Sequence, residues 1–162
     1  MINIKLIFII IFFFYQSDGY LKRGIKKYKK GKYEETISFL KKQKQIFKTE
    51  NYYFYIANSY SFLGKNIDAI VYYDSAISIN SKNDRNFAER GLSYFITGNS
   101  KKALKDMNIA IKLNSKNSKY YVNRGTIYYD LGNNDLACKD WNNAINLDES
   151  NISYEMIQLN CN

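Results

Sequence analysis

The sequence predicts an all-α chain built from repeated helix–turn–helix units, and three observations carry that reading. First, glycines recur at Gly31, Gly64, Gly98 and Gly132, 33 or 34 residues apart and each in a similar frame. A fixed period in this range marks a repeat architecture. Second, a small residue stands seven positions before each glycine, as Gly24, Ala57, Gly91 and Gly125. Alanines recur after three of the four glycines, as Ala69 and Ala76, Ala103 and Ala110, and Ala137 and Ala144. Small residues at fixed offsets let two helices approach closely. Third, Tyr60, Tyr94 and Tyr128 each lie three residues after a small one, and Tyr73, Met107 and Trp141 each lie four after an alanine. Spacings of three, four and seven put these residues on one stripe of a helix.

Taken in order, the chain opens with Met1–Lys5, carrying one positive charge, and then an unbroken apolar run from Leu6 to Tyr15. Ten apolar residues suit the core of an export signal. They are too few for a membrane span, which needs roughly 20. Gln16-Ser17-Asp18-Gly19 then turns polar and small, so residues 1–19 read as a signal peptide, cut after Gly19 or alternatively after Ser17. The bland alternative is a buried first helix or strand. Helix pairs follow at 20–30 with 33–47, 50–63 with 66–79, 84–97 with 100–113, and 118–131 with 134–147. No single unit buries its apolar face alone, so stacking makes the core. Residues 151–160 are expected to form a last helix over the open end, with Ile152, Met156 and Leu159 facing inward.

Composition bounds the chemistry. The 162 residues include no histidine and no proline. Histidine-dependent nucleophilic and metal chemistry is therefore removed. No glycine-rich phosphate loop, Gly-x-Ser-x-Gly elbow or metal motif occurs. No enzyme activity, metal or cofactor is expected. The net charge of +9 is concentrated: residues 20–50 carry +8, residues 51–162 only +1. The excess lies in Lys22, Arg23, Lys26, Lys27, Lys29, Lys30, Lys32, Lys41, Lys42, Lys44 and Lys48. Such a block either solvates a helix surface or attracts an anionic partner. Most aromatics fall on repeat-core positions, so nucleic-acid binding is not expected.

A 34-residue unit with glycine, tyrosine, glycine, alanine, a large apolar residue and alanine in phase resembles the tetratricopeptide repeat. The resemblance covers residues 20–149, as repeats of about 20–49, 50–83, 84–117 and 118–149, with 150–162 as the cap. It is closest in the second to fourth units; the first carries Thr36 and Gln43 where alanines are usual. Ser81, Ser115 and Glu149 stand where the family has proline, and a serine can cap the following helix. The resemblance implies a right-handed superhelical solenoid of antiparallel helix pairs. It also implies a non-catalytic scaffold that binds a peptide or protein partner in a concave groove lined by the first helices. The groove residues so implied are Asn51, Phe54, Asn58 and Phe62 in the second unit, Arg85, Leu92, Phe95 and Ile96 in the third, and Lys119 and Tyr129 in the fourth. The alternative is that these side chains pack between neighbouring helices. Some members clamp a terminal carboxylate, but the matching positions here hold Phe54, Asn58, Glu89, Lys119 and Asn123, so no such clamp is expected.

The ending Ala137-Cys138-Lys139-Asp140-Trp141, with Cys161 in the last helix, resembles small exported bacterial repeat proteins. That likeness suggests a Cys138–Cys161 bridge; the alternative is two buried thiols. The chain thus reads as exported to a periplasm, an envelope or the medium. A second functional reading is an envelope surface-association module attached through the basic first repeat, with Lys22, Arg23, Lys26, Lys27, Lys29 and Lys30 at its centre.

Overall fold

A computed structural model describes residues 18–42, 48–148 and 161. Residues 1–17 of the export signal expected at 1–19, the end of the second helix at 43–47 and the capping helix at 151–160 lie outside the described residues, while residues 18 and 19 are helical. The described residues are all-α, with no strand among them. They fall into two compact units, Met1–Ile79 and Asn80–Asn162.

The first unit holds α1 (residues 18–28), α2 (Tyr33–Lys42), α3 (Glu50–Phe62) and α4 (Asn66–Ile79). The second holds α5 (Asp84–Ile96), α6 (Ser100–Leu113), α7 (Ser118–Asp130) and α8 (Asn134–Leu147). Each pair turns on its glycine, and the backbone shows why glycine stands there. Gly31, Gly64, Gly98 and Gly132 all have φ between 72° and 79°, a left-handed conformation that costs other residues a Cβ clash. At Gly64 the amide bonds back to Ser61 O at 2.9 Å and the Lys65 amide to Tyr60 O at 2.9 Å. These two bonds satisfy the last carbonyls of α3. Gly98 and Gly132 repeat the arrangement.

The helix starts differ from expectation. The caps are not Ser81 and Ser115 but Asn83 and Asn117, whose side chains accept from the amides of Arg85 and Lys119 at 3.1 and 3.2 Å. The preceding turns are closed by Asn80 and Asn114, which accept from the amides of Lys82 and Lys116. Two asparagines three residues apart thus replace the family's proline: the first folds the turn, the second starts the helix.

Small residues work as the spacing implied. A Cβ on Gly125 would stand 2.6 Å from the Trp141 Nε1 and 3.1 Å from the Ala137 carbonyl. One on Gly91 would crowd Asp106, Met107 and the Ala103 carbonyl, and one on Gly24 would collide with Leu40. Tyr73, Met107 and Trp141 are all buried. In the first unit the core gathers Leu40, Tyr52 and Ile56, and beside them Phe54, Ala57, Ala69 and Tyr73. In the second unit Trp141 sits among Ala137, Ala144, Tyr121, Val122, Cys138 and Cys161. Cys138 and Cys161 are bridged, with Cα atoms 5.5 Å apart.

Candidate functional site

Within the second unit the first helices α5 and α7 face a cavity of about 530 Å³. On α5, Arg85, Glu89 and Leu92 follow one another at four and three residues and so share a face. On α7, Val122 and Asn123 lie three and four residues after Lys119, joined by Asn117 and Tyr120 at the helix start. The two helix starts are tied together. Asp84 accepts from the Tyr120 hydroxyl at 2.7 Å and from the Asn114 side-chain amide at 2.9 Å. Burial would raise the Asp84 pKa, but these bonds and nearby amides outweigh it and hold the carboxyl below its ordinary value. The Tyr120 hydroxyl is pushed upward by burial and by its bond to Asp84.

The cavity joins three kinds of chemistry. Leu92, Val122 and the buried Ala88 supply apolar wall. Asn117 and Asn123 carry side-chain amides that can pair with a passing backbone. Between the two cations Arg85 and Lys119 stands Glu89, half-buried. Burial raises the Glu89 pKa, while Arg85 and Lys119 pull it down without cancelling that rise.

The sequence-expected groove residues divide. Arg85, Leu92 and Lys119 line the cavity. Phe54 and Asn58 are corrections, because both are buried inside the α3–α4 pair. Phe54 packs edge-on to Tyr73 at 6.2 Å, and Asn58 accepts from the Tyr73 hydroxyl at 2.7 Å. The reason is that α3 is buried on several faces, from Tyr52 through Ser59, so no clean ligand-facing stripe is left there. Phe62 is 61% exposed but stacks on Tyr33 at 4.7 Å, beside Tyr28. Tyr129 leans on Trp141 at 5.6 Å. Asn51 and Ile96 are exposed and Phe95 is half-buried; none of the three lines the cavity. Of the carboxylate-clamp positions, Glu89, Lys119 and Asn123 meet in it.

Sequence reasoning missed the ion pairs under the site. Arg90 donates to both oxygens of Asp106, at 2.7 and 2.8 Å, and Arg124 to both oxygens of Asp140, at 2.7 Å each. Both aspartates are nearly fully buried. Each arginine also lies over two rings, Phe87 and Tyr94 for Arg90, Tyr121 and Tyr128 for Arg124. The signal was available: Arg90 and Asp106 recur 34 residues later as Arg124 and Asp140. On the first repeat, Arg23, Lys26, Lys27, Lys30 and Lys32 do gather, around Phe39. Lys22 pairs with Asp18, and Lys29 is exposed.

With this geometry in view, comparison with known proteins agrees on the class. The tetratricopeptide repeat model matches residues 50–83 and 118–151. No curated protein sequence matches at a significant level. Among solved structures, MamA superposes with a TM-score of 0.77 at 22% identity, over 83% of this chain and 79% of its own. YrrB, described as a repeat protein with an unusual peptide-binding site, gives 0.73 at 17% identity over 84% and 69%. The second repeat domain of Spaghetti (RPAP3), bound to the HSP90 peptide SRMEEVD, gives 0.60 at 27% identity over 62% and 94%. Two repeats of the chain thus match the tetratricopeptide repeat, and its fold is the one these repeat proteins share. Among the described residues, no helix is long and apolar enough to cross a membrane, and no group of three metal-ligating side chains forms.

Proposed function

We propose that the chain is a non-catalytic scaffold whose α5–α7 cavity takes an extended, internal segment of a protein partner. The observation that carries this reading is the wall made by Arg85, Glu89 and Leu92 opposite Lys119, Val122 and Asn123. Asparagine amides suit a peptide backbone, and Leu92 and Val122 suit an apolar side chain. Glu89 argues for an internal segment: a terminal carboxylate placed there would meet a like charge or force it to stay protonated. Peptide binding by the Spaghetti domain and YrrB supports the reading as analogy of fold. Export is part of the proposal, supported by the apolar run Leu6–Tyr15 and by the Cys138–Cys161 bridge, which persists in oxidising compartments.

The test is selection of peptides from a random display library on the full chain, followed by affinity measurements with variants. Leu92→Glu and Asn123→Ala should each weaken selected peptides by about tenfold or more, an energy typical of a central contact. Lys112→Glu, on α6, should not. Peptides that need a free C-terminal carboxylate would overturn the internal-segment reading, and equal binding by all variants would remove the cavity from it. The mass of the exported protein, with or without residues 1–19, decides the export proposal separately.

A further inference from the structure

The repeats share one frame position whose chemistry changes along the chain. The residue before each small one is Arg23, Ile56, Arg90 and Arg124, and the residue eight after each turn glycine is Phe39, Tyr72, Asp106 and Asp140. Where the first position is arginine and the second aspartate, they form the buried bidentate pairs of the third and fourth repeats. The second repeat replaces both partners. Only the first repeat keeps the arginine and lacks the carboxylate.

The structure shows what surrounds that arginine. Arg23 lies 5.1 Å over the Tyr20 ring, much as Arg90 and Arg124 lie over theirs. Between α1 and α2 is a pit of about 280 Å³, bounded by Arg23, Lys26, Lys27, Lys30, Lys32 and Phe39. Its lining is chiefly apolar, with the Phe39 ring and the lysine stems, and the Lys27 ammonium lies 5.7 Å over that ring. Glu35 is already engaged, accepting from Lys27 and Lys32 at 2.7 Å each. Among the described residues no carboxylate pairs with Arg23, Lys26 or Lys30.

We propose that this pit binds the phosphoryl head group of an anionic glycerophospholipid beside Phe39, the phosphate serving Arg23 as the anionic partner that an aspartate supplies to Arg90 and Arg124. Arg23 offers the planar fork suited to phosphate, Lys26 adds a point charge one helical turn along, and Lys30 adds another from the turn after α1. The apolar lining accepts the glycerol and the first methylenes of the lipid. A lipid rather than a soluble ester is favoured by that apolar lining, which a free phosphate ester would leave uncovered. The concentration of +8 in residues 20–50 brings the same face to an anionic leaflet.

The experiment titrates the full chain with dihexanoyl-phosphatidylglycerol below its micelle concentration, following backbone amide signals by NMR. Dihexanoyl-phosphatidylcholine and glycerol phosphate are run alongside. Phosphatidylglycerol should move the signals of Arg23, Lys26 and Lys30 and bind more tightly than either comparator. Phe39→Asp restores the aspartate of the later repeats, and should weaken binding about tenfold by occupying Arg23 from within. Arg23→Gln, an exposed change that leaves Phe39 in place, should do the same. Lys112→Gln alters net charge as much as Phe39→Asp but sits in the second unit, and should leave affinity within about twofold. The proposal is overturned if phosphatidylcholine binds as well as phosphatidylglycerol, or if Arg23→Gln and Phe39→Asp behave like Lys112→Gln. Glycerol phosphate binding as tightly as the lipid would overturn the lipid assignment.

Discussion

The two units solve one packing problem with opposite materials. In the first, the frame position beside the small residue of α3 is Ile56, buried with Leu40 and Tyr52, and rings fill the space around it. Tyr60 and Tyr72 stack at 5.4 Å, and Tyr53 leans on Tyr72. In the second, the same positions hold Arg90 with Asp106 and Arg124 with Asp140. Apolar packing gains energy wherever area is buried and tolerates exchange of similar volumes. A buried ion pair gains little net energy, because desolvation offsets attraction, yet its loss is severe when one partner is left alone. The difference teaches that repeat geometry fixes which positions meet, while leaving open whether they meet by apolar contact or by charge.

The largest expected effect breaks a pair on one side only. Asp106→Ala should lower the unfolding free energy by about 3 kcal/mol or more, read from urea unfolding followed by circular dichroism. Installing the first unit's residues at both positions, Arg90→Ile with Asp106→Tyr, should be far milder, within about 1 kcal/mol of the parent or more stable. If the double substitution costs as much as the single one, the two materials are not interchangeable.

Next in size is the Cys138–Cys161 bridge, for which the first unit has no counterpart among its described residues. Replacing both cysteines by serine should cost about 3 kcal/mol for a loop of this length in the chain-entropy model. The parent chain should resist alkylation until it is reduced, and a mass shift without reduction would contradict the bridge.

Helix approach gives a smaller contrast. Gly125→Ala should cost about 1–3 kcal/mol, because its Cβ meets the Trp141 ring and the Ala137 carbonyl. The corresponding Ala57 in the first unit already carries a Cβ, and Ala57→Gly should cost about 1–2 kcal/mol through helix propensity and the loss of a buried methyl. Thermal unfolding of the two variants compares them directly.

The smallest effects are in pH dependence, and they have opposite signs. Lys27 and Lys32 hold the exposed Glu35 at about 2, below its ordinary 4.5, so its stabilisation is complete above 4.5 and is lost as pH falls toward 2. Burial holds Glu89 above 4.5, so ionising it disfavours the folded state as pH rises from 4.5 through its raised value. Glu35→Gln should therefore flatten the acid side of the stability profile, and Glu89→Gln should raise stability at neutral pH. The Glu35 effect should fade in high salt, as an exposed pair does.

Much of the fold was legible in the sequence because it depends on local rules. The glycine period places the left-handed turns, and the three-and-four spacing places Tyr73, Met107 and Trp141 inside. From α3 to α8 the helix limits follow to within a residue, as at α6, expected and found at 100–113, whereas α1 was expected to end at 30 and ends at 28. The candidate site was less legible. Arg85, Leu92 and Lys119 were named and line the cavity, but Phe54 and Asn58 turned inward, because burial on several faces of α3 removes the periodic signal that separates core from groove.

By itself the sequence determined the repeat and the turns, which follow from residue type at a fixed spacing, and the charge gradient, which follows from composition; the bridge was suggested only by the resemblance of the ending. The tertiary structure decided the rest: which arginine has a carboxylate and which does not, that Asn83 and Asn117 rather than serines cap their helices, and that Glu89 is held between two cations. The caps are local bonds two residues long, but the ion pairs and the tie between helix starts join side chains 16 to 36 residues apart, such as Arg90 with Asp106 and Asp84 with Tyr120. No local pattern encodes such distances until the helices are packed.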